Sequence, residues 1–393
     1  MLGRLVRAGG EVLGGRPWWL RPVVAGVLRA YRDAPADRPR ELAGFLSGRV
    51  QSHPVVVRRA VPVRVVRMRW DTPRIDDLGV LAGFLGLAGD ELDWFADRKE
   101  INRHARDQRL RHYRYRWLPH RLIEAPKPRL RAVQRRLLDG VLGRIPVHPA
   151  AHGFVPGRGV HTFAVPHSGQ PMVVRVDLAS FFSSVTAPRI YGLFRTAGYP
   201  EPVAHALTAL TTTRTPADIL GGKYLPLLRH AHLPQGAPSS PALANLVAYR
   251  LDRRLSGLAA RFGMTYTRYA DDLAFSGPRV SAPRLLAALE AVVKDEGFQL
   301  RHAKTRVRGQ GDRQVLAGLV VNERPAVARV EYDRLRAVLH DAARRGLDEA
   351  NRDGHADFSA YLKGWVAWVS HRHPGRAAKL DRLLAATLGE DRA

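Results

Sequence analysis

The sequence predicts an α+β protein, and three stretches carry that prediction. Residues Thr265-Tyr266-Thr267-Arg268-Tyr269 and Leu273-Ala274-Phe275-Ser276 are largely β-branched or aromatic and flank a tight Ala270-Asp271-Asp272 corner, which reads as strand, turn, strand. Upstream, Pro171-Met172-Val173-Val174-Arg175-Val176-Asp177 reads as a buried strand that ends in an acid. Near the end of the chain, Phe358, Tyr361, Leu362, Trp365, Val366 and Val369 recur at i, i+3, i+4, i+7, i+8 and i+11, an apolar stripe on a core-facing helix.

The acids are the chemical signal. Two adjacent carboxylates at a hairpin tip repel each other, an arrangement that a divalent cation would relieve. Taken alone, Asp271-Asp272 also describes an ordinary solvated turn. Asp177 adds weight, because an acid with apolar neighbours at the end of a core strand is costly to bury unless paired or metal-bound. Between the two acidic places lies Leu233-Pro234-Gln235-Gly236-Ala237-Pro238-Ser239-Ser240-Pro241, a turn-rich segment that opens a helix running from Ala242 to Leu255. Strand-Asp, Pro-Gln-Gly turn with helix, and Tyr-Ala-Asp-Asp hairpin, in that order, resemble the palm of reverse transcriptases.

That resemblance covers roughly residues 110–335 and implies a right-hand polymerase fold. It implies fingers, a palm made of an antiparallel sheet backed by helices, and a helical thumb, with a mainly helical N-terminal extension. The expected divisions are 1–100 for the extension, 101–175 for the fingers, 176–322 for the palm with an inserted fingers segment at about 188–230, and 323–393 for the thumb.

Composition agrees. The chain has 393 residues, enough for two or three subdomains, with 63 Lys and Arg against 36 Asp and Glu, a net charge of +27 and a pI near 11.3. Such an excess implies a polyanionic partner, and nucleic acid is the simplest. Arginine far outnumbers lysine, so codon bias in a GC-rich genome sets part of the count. The absence of cysteine excludes disulfides and thiolate zinc sites. No apolar run approaches the ~18 residues of a membrane span, and Arg16 and Arg21 interrupt the N-terminal stretch before any clean cleavage site, so the expectation is a cytoplasmic protein without membrane contact.

Residues 1–100 are the least informative. Trp18, Trp19 and Arg40–Val50 suggest amphipathic helices with basic faces, Arg58–Trp70 alternates Val with Arg, and Leu81, Phe84, Leu85, Leu92 and Phe95 give Leu78–Phe95 a helical stripe. Further on, Arg103, Arg106, Arg109, Arg111, Arg114 and Arg116 are interleaved with His112, Tyr113, Tyr115 and Trp117. Guanidinium groups with aromatic rings suit single-stranded nucleic acid. Arg121-Leu122-Ile123-Glu124-Ala125-Pro126 and a helix over Leu130–Leu142 follow. Their order resembles the fingers of bacterial reverse transcriptases, where a basic pair on a β-hairpin grips the incoming triphosphate, and implies Arg116 and Arg121 for that pair. Before Arg121 the family usually has Lys and Gly, where this chain has Arg116 and no Gly. His152-Gly153-Phe154-Val155-Pro156-Gly157-Arg158-Gly159 is a second family-like mark, where Arg158 can reach a phosphate.

Among prokaryotic reverse transcriptases, Gln235–Pro241 together with Tyr269–Asp272 look most like retron enzymes. Those enzymes tend to have Asn-Ala-X-X-His before the first catalytic strand and Val-Thr-Gly after the palm. Here Ala164, His167 and Gly318 match, while Phe163, Leu316 and Ala317 depart. By resemblance His167 and Gly318 are expected, with Arg158, to contact nucleic acid.

The resemblance implies two Mg²⁺ ions about 4 Å apart held by hard oxygen ligands. Asp177 and Asp271 are the expected bridging ligands, Leu178 offers its backbone carbonyl, and Asp272 sits beside the primer end as a ligand or a support behind one. Gln235 shapes the pocket near sugar and base. Phe182, five residues after Asp177, stands where the family places a bulky ring beneath the sugar, which implies a clash with a 2′-hydroxyl and a preference for deoxynucleotides; Phe181 is expected as the core-facing member of the pair. Lys304 matches a lysine near the leaving phosphates and suits a general acid. His230 with His232, and His371 with His373, read as solvent-facing or phosphate-contacting. Arg372, Arg376 and Lys379 lie where a thumb would track a duplex.

The favoured expectation is an RNA-directed DNA polymerase of retron type. It would copy a cognate structured noncoding RNA from dNTPs into RNA-linked DNA in antiphage defence, with a possible effector protein and with a host ribonuclease H removing template. The alternatives are a template-independent defence polymerase and an RNA-binding scaffold with vestigial activity.

Overall fold

A computed structural model describes residues 1–17, 19–31, 42–46, 68–98, 100–119, 121–222 and 225–389. Trp18, most of Arg40–Val50, and residues 58–67 of the Val/Arg alternation lie outside the described residues. The chain divides into two units, Met1–Val63 and Arg64–Ala393. In the first, helices Leu2–Val12 and Leu20–Ala30 pack on each other, with Leu20 and Val23 buried.

The larger unit is built on a four-stranded antiparallel sheet. Its strands are β3 (Met172–Asp177), β4 (Thr265–Tyr269), β5 (Asp272–Gly277) and β6 (Arg306–Gly309), in the order β4-β5-β3-β6. A hairpin of β1 (Tyr113–Leu118) and β2 (Arg121–Pro126) precedes it, and three two-residue strands follow: β7 (Val315–Leu316), β8 (Leu319–Val320) and β9 (Ala326–Val327). The α+β expectation therefore holds.

Side chains alternate across a strand, and the central sheet separates two cores accordingly. Val174, Val176, Tyr266, Leu273 and Phe275 enter one core with Leu137, Leu207, Leu243, Leu251 and Leu289 of the covering helices. Val173 and Ala274 face the other, with Phe163, Leu316, Leu319, Leu339, Leu362 and Leu380. Helices Leu78–Leu85 and Gly89–Ala96 contribute Leu81, Leu85 and Leu92 to the first core, so the boundary expected near residue 100 does not separate them from it. The C-terminal stripe is real: Phe358, Leu362, Val366 and Val369 are buried on helix Phe358–Ser370, while Tyr361 is exposed. Arg376, expected to face a duplex, instead donates to Val327 O at 3.1 Å and covers the Tyr332 ring. Its helix, Pro374–Leu388, lies against Arg329–Arg345, which brings the guanidinium back onto the protein.

Behind the hairpin corner lies a buried polar cluster. Arg268 is fully buried, and its Nε and Nη2 donate to the two Asp252 oxygens, each at 2.7 Å. Its Nη1 donates to Asn245 Oδ1 at 2.9 Å and to Ala270 O at 3.1 Å, while Tyr266 Oη donates to Asp252 at 2.8 Å. Asn245 in turn donates to Gly153 O at 2.8 Å. Removing one member strands a buried charge. Asp252→Ala is expected to destabilise the fold by about 3–5 kcal/mol, measured by equilibrium denaturation.

Candidate active site

The Tyr269-Ala270-Asp271-Asp272 corner is a two-residue turn, because Tyr269 and Asp272 are paired across β4 and β5. Ala270 has φ 55°, a left-handed conformation that an alanine adopts only at a cost of about 1–2 kcal/mol. Two contacts hold it there. Arg268 Nη1 binds its carbonyl, and Gly153 packs so close that a Cβ there would sit 2.6 Å from Ala270 N. The 150–153 segment is itself zipped to β4, with Arg268 N–H donating to Ala150 O and His152 N–H to Arg268 O, both at 2.7 Å. The glycine of the His-Gly-Phe stretch is thus required by the backbone of the Ala270 turn.

This turn delivers the acids. Asp177 pairs directly with Asp272 across β3 and β5, and Leu178 N–H donates to Asp271 O at 2.9 Å. Asp177 is buried; its Oδ2 accepts from Lys304 Nζ at 2.9 Å, and its Oδ1 accepts no hydrogen bond, with Arg301 Nε 3.4 Å away. Asp272 is held in a fork by Arg175, at 2.8–3.1 Å. Asp271 has its carboxyl pushed above the usual range, first by burial, then by the charge of Asp177, and less by its neighbour Asp272. Asp177 and Asp271 therefore form an electrostatically strained pair.

Among the described residues, no group of three His, Cys, Asp or Glu is arranged as a metal cage. The reason is visible: Arg175 engages Asp272, and Lys304 occupies one oxygen of Asp177. Asp177 and Asp271 remain as neighbouring carboxylates, with the buried Asp177 Oδ1 accepting no hydrogen bond and Arg301 Nε 3.4 Å from it. The donor set is all hard oxygen, which fits a small divalent ion.

The reverse transcriptase family (RNA-dependent DNA polymerase) matches residues 119–317. The retron Mx65 reverse transcriptase of Myxococcus xanthus is 45% identical over 94% of this chain and 81% of its own length. The retron Mx162 enzyme of the same organism is 40% identical, over 80% of this chain and 68% of that protein. The retron Ec86 enzyme of Escherichia coli is 30% identical, over 63% and 71%. This chain belongs to the retron-type reverse transcriptases. It is an RNA-directed DNA polymerase, an enzyme class that generally uses divalent metal ions.

In the reverse transcriptase the β1–β2 hairpin sorts its residues by face. Arg116 lies opposite Ile123, and Arg121 opposite Leu118, so both exposed arginines project from one side together with Arg114. Tyr113, Tyr115 and Trp117 project from the other. Tyr113 is buried and accepts from Gln134 Nε2 at 3.1 Å; burial raises the Tyr115 hydroxyl's pKa; Trp117 Nε1 donates to Ile219 O. Strand alternation puts arginines and rings on opposite faces, with Tyr113 buried, Tyr115 half-buried and Trp117 still exposed. Arg111 is buried, on Asp218 and Ala105 O.

Phe181 is buried against Phe298, and Phe182 is half-buried beside the exposed Phe154, ring centres 6.3 Å apart. Gln235 is half-buried, and its carbonyl accepts from Glu124 N–H at 2.8 Å. Arg158 is exposed but commits Nη1 to the carbonyls of Pro149 and Ala151. Gly318 forms an exposed turn with Ala317, φ 88° and 44°, the left-handed pair of a two-residue hairpin.

His167 is a correction. It is fully buried, so it cannot touch nucleic acid. Thr267 Oγ1 donates to Phe163 O, so it must accept from His167 Nε2–H at 2.7 Å, which leaves Nδ1 to accept from Ser276 Oγ at 2.7 Å. Desolvation lowers its pKa to about 3, consistent with that neutral ring. His232, expected near solvent, is also fully buried.

Arg175 and Arg301 were missed by sequence reading. Arg175 had a signal, standing two residues before Asp177 on the same strand face; Arg301 approaches through the loop before Lys304, where no periodicity operates.

Because the folded state raises Asp271's pKa, its ionisation opposes folding. Asp271→Asn is expected to raise thermal stability at pH 7 while abolishing polymerisation. The gain should shrink as pH falls through the raised folded pKa toward the unfolded value near 3.8. Thermal melts across pH check this.

Proposed function

We propose that this reverse transcriptase copies a structured noncoding RNA into single-stranded DNA joined to that RNA, starting from an RNA 2′-hydroxyl, in antiphage defence. The observation that carries the chemistry is the Asp177–Asp271 pair, whose mutual repulsion and unbonded oxygen favour a cation between them. Residues 101–175 act as fingers, 176–322 as palm with its inserted segment, and 323–393 as thumb.

Two Mg²⁺ ions, when bound, neutralise the triphosphate and acidify the attacking hydroxyl. Asp177, Asp271 and the Leu178 carbonyl would hold them, and Asp272, steadied by Arg175, stands behind the primer end. Arg116 and Arg121 meet the triphosphate from the hairpin's outer face. Gln235 and Phe182 line the sugar and base, the ring excluding a 2′-hydroxyl. The hydroxyl gives up its proton to solvent as its oxygen attacks the α-phosphorus; the new P–O bond forms while the bond from the α-phosphorus to the oxygen bridging to the β-phosphorus breaks, and pyrophosphate leaves. Lys304 supplies a proton to that leaving group, and while bound to Asp177 Oδ2 it stands close enough to the acids for this. Gly318 and Arg158 lie along the nucleic-acid path. The product's template strand is removed by a host ribonuclease H, an effector protein completes the defence, and the complex works in the cytoplasm. Among the described residues, no helix is long and apolar enough to cross a membrane.

The test is primer extension on RNA with Mg²⁺ and dNTPs, comparing Asp177→Ala and Asp271→Ala. Each is expected to lose activity by on the order of 10²–10³-fold or more. Purified protein should carry RNA bearing a ribonuclease-sensitive branch to DNA. Tightly bound RNA with no extension on any template would favour a scaffold instead.

A further inference from the structure

A buried acid–imidazole pair joins the fingers hairpin to the turn that carries Gln235, and no step above uses it. Glu124 on β2 and His232 are both essentially inaccessible to solvent. Glu124 Oε2 lies 2.8 Å from His232 Nε2, Thr215 Oγ1 donates to Oε1 at 2.7 Å, and His232 Nδ1 lies 2.7 Å from the His230 carbonyl. A carbonyl only accepts, so Nδ1 carries a proton, and a further proton lies between Nε2 and the carboxylate. Every polar atom of the pair is satisfied, and losing either partner strands the other in the core.

Its position is what gives it consequence. His232 exchanges backbone hydrogen bonds with Thr213, both 2.9 Å, and its neighbour Leu233 donates to Val185 O, in the stretch that follows Phe182. Two residues further, Gln235 O accepts from the backbone of Glu124 itself. Gly236, at φ 131°, packs so that a Cβ would sit 3.2 Å from Glu124 O. One pair thus sits where β2, the Phe182 stretch and the Gln235 turn converge.

We infer that Glu124 and His232 are positioning residues for the incoming nucleotide: they fix β2, and through it Arg121, against Gln235. This rests on assigning Arg121 and Gln235 to the nucleotide. The pair touches no reacting atom, so its loss acts on nucleotide affinity before chemistry.

Steady-state extension of a fixed RNA primer–template by the full chain tests it, with dNTP KM, kcat, primer–template affinity and melting temperature measured together. Glu124→Leu and His232→Leu are expected to raise the dNTP KM by about 10-fold or more, with kcat and primer–template affinity near wild type. Glu124→Gln should recover most of the wild-type KM, since its amide can donate to a neutral His232 Nε2 while accepting from Thr215. If the leucine variants do not fold, Thr215→Val, which removes one hydroxyl from Oε1, should give a smaller KM shift. Unchanged dNTP KM in the variants that fold, or a parallel fall of every parameter with melting temperature and no rescue by glutamine, overturns the inference. Arg121→Ala with unchanged KM would overturn the pocket assignment instead, independently of the pair.

Discussion

The buried Arg268 ion pair is the constraint on which the Tyr269–Asp272 corner depends. A two-residue turn with alanine in a left-handed conformation is disfavoured by itself, and an isolated acid pair at its tip would relax into solvent. Arg268 prevents both. Anchored on Asp252 and Asn245, its guanidinium reaches the Ala270 carbonyl from inside the sheet, while Asn245 carries the same restraint to Gly153 on the opposite side of the turn. The corner is clamped between a charge network and a glycine backbone. Burying an ion pair confers little net stability, so its value here is geometric: it fixes a strained backbone that pushes Asp271 toward Asp177.

Charge compensation on the sheet is uneven. Asp272 has Arg175, and Asp177 has Lys304 with Arg301 nearby. Asp271 is left with burial and a repelling neighbour, against which the charge of Lys304 is a minor offset. A site evolved only for stability would pair its third carboxylate or replace it.

Much of this was legible in sequence. The strand ending in Asp177, the hairpin at Tyr269–Asp272, the turn at Gln235 and the helical stripe at Phe358–Val369 are local patterns, read from period two, period 3.6 or turn residues. Phe181 and Phe182 were separable because burial alternates. What escaped was long-range. His167 and His232 look like surface histidines in a basic chain, and only the folded neighbours Ser276, Thr267 and Glu124 show them to be core. Along Tyr113-Arg114-Tyr115-Arg116-Trp117 composition suggests a mixed surface, while the period of two implies two faces, with Trp117 exposed at the end of the ring face.

That two-faced hairpin also shows how the enzyme reconciles a large positive charge with a packed interior. Arg114, Arg116 and Arg121 cannot be buried, and three guanidinium groups on one small face repel one another. The strand tolerates them because its other face is secured by Tyr113 on Gln134, Trp117 on Ile219 and Glu124 on His232. Each inner contact is to a different element, so the hairpin is held at several points while its charged side stays unneutralised. The repulsion among the three is thus met by folding, through the contacts of the inner face.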